Sequence, residues 1–403
     1  MRILQLTEYR TERAVALAAD ERDALRALIP TLTLQPSPGA DGQYDLNPGG
    51  SVGVVRVGDL HVRLTPRLPI ERVLFLVSYA LDPKAWLEHS VEVDRDDDLL
   101  EAIIPAFAYH VRVALRRGLL HGYRRTDESE TTIRGRIRFA DQIRARPGQL
   151  LPVEITYDDF TPDILENRLL RAAIERILQL PLRRRTTRQT MLGLREQFAT
   201  ITHERFAPRS VPEPVWTRLN GRYRPAVSLA RLIIQGASLD LYADRLTATG
   251  VVLDMAKVFE DFVVQALREA LELDPRSFLQ GGAGRKVSLD LEGDVSLKPD
   301  LAWWAGDQCV FVGDCKYKRT QIDAVPNADL YQLLAYTTAL NLPAGLLVYA
   351  AGEYAPGHHT VRHAGKRLEV ATLDLAGRPT EVLAQISALA QRIKLLARQA
   401  LAA

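Results

Sequence analysis

The sequence has few cysteines and no long apolar run. Its 403 residues include only two cysteines, Cys309 and Cys315, so we expect free thiols in a reducing compartment instead of a disulfide framework. No stretch of about 18 consecutive apolar residues is present, which argues against a membrane helix. The first residues also lack the basic, apolar and small-residue pattern of a secretory signal. We therefore expect a cytoplasmic protein with no membrane partner.

Nucleotide-binding motifs are lacking as well. The glycine-rich run at 281–284 is not followed by Gly-Lys-Ser/Thr and does not lie between a strand and a helix, so it is not a P-loop. No other segment offers a nucleoside triphosphate site. The chain itself is therefore not predicted to hydrolyse a nucleotide.

Lysine is scarce, whereas arginine is abundant. Only eight of the 52 Lys+Arg residues are lysines. Residues 111–210 contain 20 arginines, no lysine and 12 acidic residues, a local charge of 20 − 12 = +8. Such a surface attracts a phosphate-bearing partner, and its densest points are 134–138 and 183–185. Alternatively, the arginines cover helix faces with their apolar stems.

The length fits two or three domains. We predict three segments: a mixed strand and helix region at 1–95, a mainly helical Arg-rich region at 96–250, and an alternating region at 251–403. Helix, strand, strand, helix and strand follow one another in the last segment, which indicates a mixed sheet with helices packed against it. The predicted fold class is therefore α/β (α+β), with a C-terminal α/β sandwich.

Two local patterns in the first two segments give specific predictions. Apolar residues alternate on both sides of Gly58-Asp59, which predicts a β-hairpin. A helix is predicted at Val227–Leu246.

The stretch Leu297–Lys318 carries the chemistry. It reads as two strands joined by a polar turn, with Asp300 in the first strand and Asp314 and Lys316 in the second. Strand side chains alternate with period 2, so Asp314 and Lys316 point to the same face. Carboxylates are ligands for Mg²⁺, and a lysine can orient or deprotonate an attacking water and offset transition-state charge.

The spacing matches the PD-x(n)-(D/E)-x-K pattern of restriction-endonuclease-like nucleases. Pro299-Asp300 is followed by thirteen residues and then by Asp314-Cys315-Lys316. A solvated hairpin edge with ordinary charges would give the same string. The scarcity of lysine favours the nuclease interpretation, because a lysine can transfer a proton whereas a guanidinium stays protonated.

Helices on both sides of the pattern add polar groups. Asp254 is a plausible N-cap of the upstream helix, on which Glu260 flanks the apolar face and could reach a metal. Alternatively, Glu260 forms an ion pair with Lys257 or Arg268. On the downstream helix, three polar residues share a face over a leucine core, and two of them form a Q-x-x-x-Y pair that could bind a phosphate or a metal-bound water: Asp329, Gln332 and Tyr336.

Several short stretches of the sequence, in the order in which they occur, resemble the McrC family. McrC is the nuclease subunit of McrBC modification-dependent (type IV) restriction systems. The specific ones are LDMAKVFEDFV, LKPD, DCKYK and DLYQLLAY. Weaker matches lie upstream: RLTPRLPIERVLFLVSYA, RGRI and YDDFTPDILENRLL. The match spans most of the chain.

The resemblance implies a C-terminal PD-(D/E)xK nuclease domain that cuts DNA with Mg²⁺, or with Mn²⁺ in its place. It implies metal ligation by Asp300, Asp314 and Glu260, a catalytic role for Lys316 and a supporting role for Gln332. Residues expected to contact DNA are Lys298, Lys318 and Tyr336. It also implies a partner, a McrB-like AAA+ GTPase ring bound and stimulated by the N-terminal half (1–250), so that GTP enters only through that partner.

Two other functions fit the same residues. A stand-alone repair or defence nuclease would use the same chemistry without a motor. An adaptor with a vestigial site would regulate a partner NTPase, although the retention of all the core groups argues against decay.

Overall fold

The protein is described by a computed structural model that covers residues 2–39, 41–81, 83, 99–180, 182, 184–236, 241–243, 246–281, 284–317, 325–350 and 357–402. The chain forms two compact units. One unit contains Met1–Ala102 and Asp240–Ala403, and the other contains Ile103–Leu239. The N-terminal segment thus belongs to the same unit as the predicted nuclease segment.

The described ranges contain ten α-helices. None of these helices combines the length and apolarity that crossing a membrane requires. Their bounds are α1 Ala19–Leu28, α2 Ile70–Leu81, α3 Leu99–Leu115, α4 Phe139–Ala145, α5 Leu165–Gln179, α6 Arg185–Gln197, α7 Arg224–Gly236, α8 Met255–Leu271, α9 Asn327–Ala339 and α10 Pro379–Ala402.

Nineteen strands lie in the same ranges, in several sheets. Up to the start of α8 they are β1 Arg2–Thr7, β2 Glu12–Ala16, β3 Thr33–Pro36, β4 Gln43–Asn47, β5 Ser51–Val57, β6 Leu60–Thr65, β7 Gly122–Glu130, β8 Arg136–Ile137, β9 Val153–Thr161, β10 Leu241–Ala243 and β11 Leu246–Asp254. After it come β12 Phe278–Leu279, β13 Val287–Ser288, β14 Ser296–Leu297, β15 Leu301–Ala305, β16 Gln308–Lys316, β17 Ala344–Ala350, β18 Gly357–Thr360 and β19 Arg367–Leu373.

A five-stranded sheet of order β1-β6-β5-β11-β10 forms the N-terminal part of the larger unit. The predicted hairpin at Gly58-Asp59 is confirmed, since β5 and β6 pair antiparallel with Val57 opposite Leu60. Strand β11 pairs antiparallel with β5 and ends at Asp254, whose carboxylate accepts a hydrogen bond from the Ala256 backbone N–H and caps α8. The N-terminal sheet therefore leads directly into the helix that carries Glu260.

A six-stranded mixed sheet of order β12-β15-β16-β17-β19-β18 forms the C-terminal part of this unit. Strands β15 and β16 are antiparallel, whereas β16, β17 and β19 run parallel, with α9 as the crossover between β16 and β17. Helices α8, α9 and α10 contact β16. The predicted mixed α/β architecture is confirmed.

The smaller unit contains a sheet in which two strands, β7 and β9, were missed by the sequence analysis. Strands β7, β9 and β8 form a three-stranded sheet beside the predicted helices. Strand β7 is polar at nearly every position, so it lacks the apolar alternation that identifies a half-buried strand. The predicted helix Val227–Leu246 is confirmed only in its first part: α7 ends at Gly236, and β10 begins at Leu241. Antiparallel pairing of β10 with β11 competes successfully with local helix propensity over Leu241–Ala243.

The predicted segment boundaries do not coincide with the compact units. The segments 1–95 and 251–403 fall in one unit because β11 is a member of the N-terminal sheet. The assignment of a separate function to each segment stays a prediction.

Aromatic packing holds α2 of the N-terminal segment against α8. The Phe262 ring lies 5.3 Å from the Phe75 ring and 5.6 Å from the Tyr79 ring, both edge-on. Phe262 is fully buried. Edge-to-face pairs of this kind add to the stabilisation from apolar burial, so the cluster joins the two parts of the larger unit.

Replacing Phe262 with alanine should lower the free energy of unfolding by about 3–5 kcal/mol, because it opens a cavity between α2 and α8. Urea unfolding followed by tryptophan fluorescence measures the change. The matched control is Phe139→Ala, since Phe139 is exposed and its loss should change stability by less than about 0.5 kcal/mol. Equal effects of the two substitutions would contradict this packing.

Candidate active site

The register of β15 and β16 brings the two predicted aspartates together. Asp300 lies one residue before β15, not within it, and the first residue of β15, Leu301, pairs with Gly313. Antiparallel pairing therefore places Asp300 beside Asp314. The Asp300 Oδ2 atom accepts a hydrogen bond from the Cys315 backbone N–H at 2.9 Å. The hairpin thus fixes one carboxylate against the backbone that carries the other.

Lys316 lies on the same face of β16 as Asp314, as the period of a strand predicts. Its Nζ lies 2.5 Å from the Asp314 Oδ2 atom and donates a hydrogen bond to the Gln332 Oε1 atom at 2.8 Å. Asp314 and Lys316 pair with Leu347 and Tyr349 on β17, and these two side chains form a buried cluster with Leu333 of α9. The catalytic face of β16 is therefore the face that α9 covers.

Gln332 and Tyr336 continue the hydrogen-bond chain from Lys316. The Gln332 Nε2 atom donates to the Tyr336 Oη atom at 2.7 Å, and that hydroxyl donates to the Lys298 carbonyl at 3.2 Å. Tyr336 is buried. Its side chain therefore links α9 to the residues before Asp300 and does not lie on an open DNA-facing surface.

Asp329 is a site residue to which the sequence analysis gave no role. It is buried, its Oδ1 atom lies 4.0 Å from Lys316 Nζ, and its Oδ2 atom accepts a hydrogen bond from the Tyr349 hydroxyl at 2.7 Å. The spacing of Asp329, three residues before Gln332, placed it on the correct face of α9. What the sequence could not show was that Lys316 lies opposite.

Glu260 flanks this group from α8. Its Oε1 atom accepts hydrogen bonds from Lys257 at 3.0 Å and from Gln280 at 2.9 Å, so the ion pair considered as its alternative role is present. The charge of Glu260 also raises the pKa of Asp300, but less than burial and the charge of Asp314 do. Within the described ranges, no three His, Cys, Asp or Glu side chains converge into a metal-binding group. The role of Glu260 as a ligand stays a prediction.

The electrostatics of the two aspartates favour a cation. Burial raises the pKa of Asp300, and the charge of Asp314 raises it further. Burial also raises the pKa of Asp314, although Lys316 opposes this shift. The Asp314 Oδ2 atom is buried, and the Lys316 ammonium group, 2.5 Å away, is its ion-pair partner. Because Mg²⁺ binds one or two carboxylates and completes its shell with water and phosphate, the pair fits this ion.

Lys316 is held as a cation. Burial alone would lower the pKa of Lys316, but Asp314 and Asp329 outweigh burial and raise it. Of the two roles expected for this lysine, this geometry suits a positive charge that orients water and phosphate better than a base.

The other two residues expected to contact DNA differ in position. Lys298 is exposed at the end of β14, next to the carbonyl that Tyr336 binds. Lys318 lies outside the described residues. DNA contact by either residue stays a prediction.

The Arg-rich region uses part of its charge internally. Arg138 forms ion pairs with Asp141 at 2.8 Å and Glu154 at 3.1 Å, and the Arg134 guanidinium stacks 4.3 Å from the Tyr157 ring. The arginines at 134–138 thus support the structure of the smaller unit. A phosphate-bearing partner for this region stays a prediction.

Both cysteines are free thiols, as expected. Cys309 is buried and Cys315 half-buried. Burial raises the pKa of each thiol, so neither is poised to act as a nucleophile.

Solved structures similar to this chain come from Thermococcus gammatolerans. One is a refined half-complex from the tetradecameric assembly of Thermococcus gammatolerans McrB AAA+ hexamers with bound McrC, which matches with a TM-score of 0.57 and 18% identity over 97% of this chain and 100% of the other. Another, the cryo-EM structure of the T. gammatolerans McrBC complex, matches with a TM-score of 0.42 and 21% identity over 67% of this chain and 88% of the other. The first match supports the overall fold.

No curated protein matches this chain significantly. The model of one protein family, described as the McrBC 5-methylcytosine restriction system component, matches residues 46–350. This range covers well over half of the chain, including Asp300, Asp314, Lys316 and α9. The family expected from the sequence strings is thereby confirmed, and the chain belongs to the McrBC restriction system component family.

Proposed function

We propose that this chain is the Mg²⁺-dependent DNA endonuclease subunit of a McrBC-like restriction system. It cleaves phosphodiester bonds and stimulates a McrB-like AAA+ GTPase in the cytoplasm. The observation that carries the proposal is the convergence of the half-buried Asp300 and the buried Asp314 with Lys316. Family membership supports the setting in a restriction system.

The residues present fit a divalent cation held by Asp300 and Asp314. When bound, Mg²⁺, or Mn²⁺ in its place, would polarise the scissile phosphate and lower the pKa of an attacking water. The Asp314 Oδ2 atom is buried and lies 2.5 Å from Lys316 Nζ, so a metal ion bound to this atom would compete with the lysine. The hydrogen bond from the Cys315 N–H orients the other carboxylate.

Lys316 supplies positive charge where the phosphate becomes more negative. Gln332 accepts one of its three N–H donors, which leaves others for a water or a phosphate oxygen. Preorganised charge of this kind stabilises a transition state without further rearrangement. Tyr336 in turn orients Gln332, so that α9 sets the direction of the lysine.

A GTP-driven partner is the second part of the proposal. The sequence lacks a P-loop, and the solved structure of Thermococcus gammatolerans McrB AAA+ hexamers with bound McrC contains a chain of this fold. A nuclease subunit without its own nucleotide site needs a motor to couple GTP hydrolysis to cleavage. The two other functions considered, a stand-alone nuclease and an inert adaptor, are outcomes of the same experiment.

Lys316→Ala should reduce cleavage of plasmid DNA by about 10²–10³-fold, because it removes charge stabilisation from the transition state. Cleavage is measured during Mg²⁺ titration, with and without the McrB-like partner and GTP. The matched control is Lys394→Ala on α10, which should cleave at the wild-type rate.

The result distinguishes the three functions. Cleavage that needs the partner, GTP and Lys316 supports the proposal. Equal cleavage without the partner would indicate the stand-alone nuclease. If neither wild type nor Lys316→Ala cuts, yet both raise GTP hydrolysis by the partner equally, the site is inert and the chain is an adaptor.

Glu260→Gln should raise the Mg²⁺ concentration needed for half-maximal cleavage by about tenfold, because a third carboxylate beside the two metal ligands strengthens cation binding. Glu269→Gln is the matched control, since Glu269 is exposed on the same helix. The comparison uses the full complex with GTP. Identical Mg²⁺ curves for the two variants would show that Glu260 takes no part in the metal site.

A further inference from the structure

The end of the catalytic strand is held from outside its own sheet. The paired register of β16 and β17 stops at Lys316 and Tyr349. The next carbonyl, that of Tyr317, accepts a hydrogen bond from the Tyr9 hydroxyl at 2.9 Å. Tyr9 follows β1 in the N-terminal segment, and both tyrosines lie in the larger unit. The N-terminal segment therefore forms a hydrogen bond with the residue directly after Lys316.

Tyr9 is itself held in a restricted conformation. Its φ angle is +55°, in the left-handed region that side chains other than glycine seldom adopt without surrounding support. That support is present: the Tyr9 backbone N–H donates to the Gly49 carbonyl at 2.9 Å, and the Arg67 guanidinium lies 5.2 Å from the ring centre. The adjacent Glu8 is buried and accepts a hydrogen bond from the Arg67 backbone N–H at 2.9 Å.

Gly50 leaves space for the Tyr9 hydroxyl. A Cβ atom built on Gly50 would lie 2.7 Å from the Tyr9 Oη atom, closer than real Cβ contacts. Because Gly50 is not among the residues with a positive φ angle, alanine fits its backbone. Substitution there should displace the hydroxyl without straining the main chain.

The Tyr317 ring connects the same point to the acidic helix. It is buried and lies 5.9 Å from the ring of Phe259, the residue before Glu260 on α8. Tyr317 thus lies between the preceding residue, Lys316, and the helix that carries Glu260. A shift of its carbonyl would move the lysine relative to both acidic elements.

We propose that Tyr9 is a positioning residue for the nuclease site, which fixes the end of β16 through the Tyr317 carbonyl and so sets the position of Lys316. The N-terminal segment then acts on cleavage through its own contact with the catalytic strand, in addition to any partner that it binds. The effect on cleavage rests on the proposed nuclease function, whereas the effect on the strand does not.

The experiment compares Tyr9→Phe and Gly50→Ala with Tyr44→Phe as the matched control. The Tyr44 hydroxyl belongs to the same N-terminal segment and accepts only a long hydrogen bond, 3.4 Å, from Arg22. Hydrogen exchange of the full-length protein is followed by mass spectrometry in peptides that span residues 309–317. Loss of one hydrogen bond should speed exchange at the end of β16 by about 2- to 10-fold in Tyr9→Phe and Gly50→Ala.

Cleavage by the complex with partner, Mg²⁺ and GTP gives the second readout. In both test variants we expect kcat to fall by about tenfold, because a slightly misplaced catalytic group costs rate and not substrate affinity. The KM for DNA and the stimulation of GTP hydrolysis should stay at wild-type values. A general loss of folding would instead lower the apparent kcat and the stimulation of GTP hydrolysis together.

The proposal is overturned if both test variants exchange at the wild-type rate over residues 309–317. It is also overturned if their exchange is faster but their kcat is unchanged, provided that Lys316→Ala inactivates the complex. Failure of the proposed function has a different signature: wild type and Lys316→Ala then cleave equally or not at all. In that case the exchange data alone decide whether Tyr9 positions the strand.

Discussion

A half-buried carboxylate, Asp300, beside a buried one, Asp314, with one ammonium group next to them, is the constraint on which this structure depends. Burial raises the pKa values of Asp300 and Asp314, and a single lysine cannot compensate fully for both charges, particularly with buried Asp329 close by. Such an arrangement costs folding free energy unless a cation is present. Sites of this kind are typical of function, since stability alone would favour apolar replacements.

The rest of the larger unit keeps these charges in place. The β15–β16 register sets the two aspartates side by side, and α9 directs Lys316 through Gln332. The N-terminal sheet contributes as well, because β11 runs from that sheet into the capping residue of α8. Its Tyr9 also reaches the strand end. The N-terminal segment is therefore part of the scaffold that holds the candidate site.

Sequence reasoning succeeded where the determinants are local. The hairpin and the strand period place Asp314 and Lys316 together, and helical spacing places Gln332 and Tyr336 on one face. It failed where distant pairing decides the conformation, as in β11, whose partner β5 is far away in the sequence, and in β7, whose polar sequence carries no strand signal. The bond from Tyr9 to Tyr317 joins residues 308 positions apart, and no local pattern could have revealed it.

Direct measurement of metal binding tests the central claim, that Asp300 and Asp314 form a cation site. Mn²⁺ binding, followed by electron paramagnetic resonance, should be about tenfold weaker or more in Asp314→Asn than in wild type. It should be unchanged in Asp307→Asn, the matched control in the exposed turn. Lys316→Ala should bind Mn²⁺ at least as tightly as wild type, because it removes a competing positive charge. Equal binding by wild type and Asp314→Asn would contradict the account.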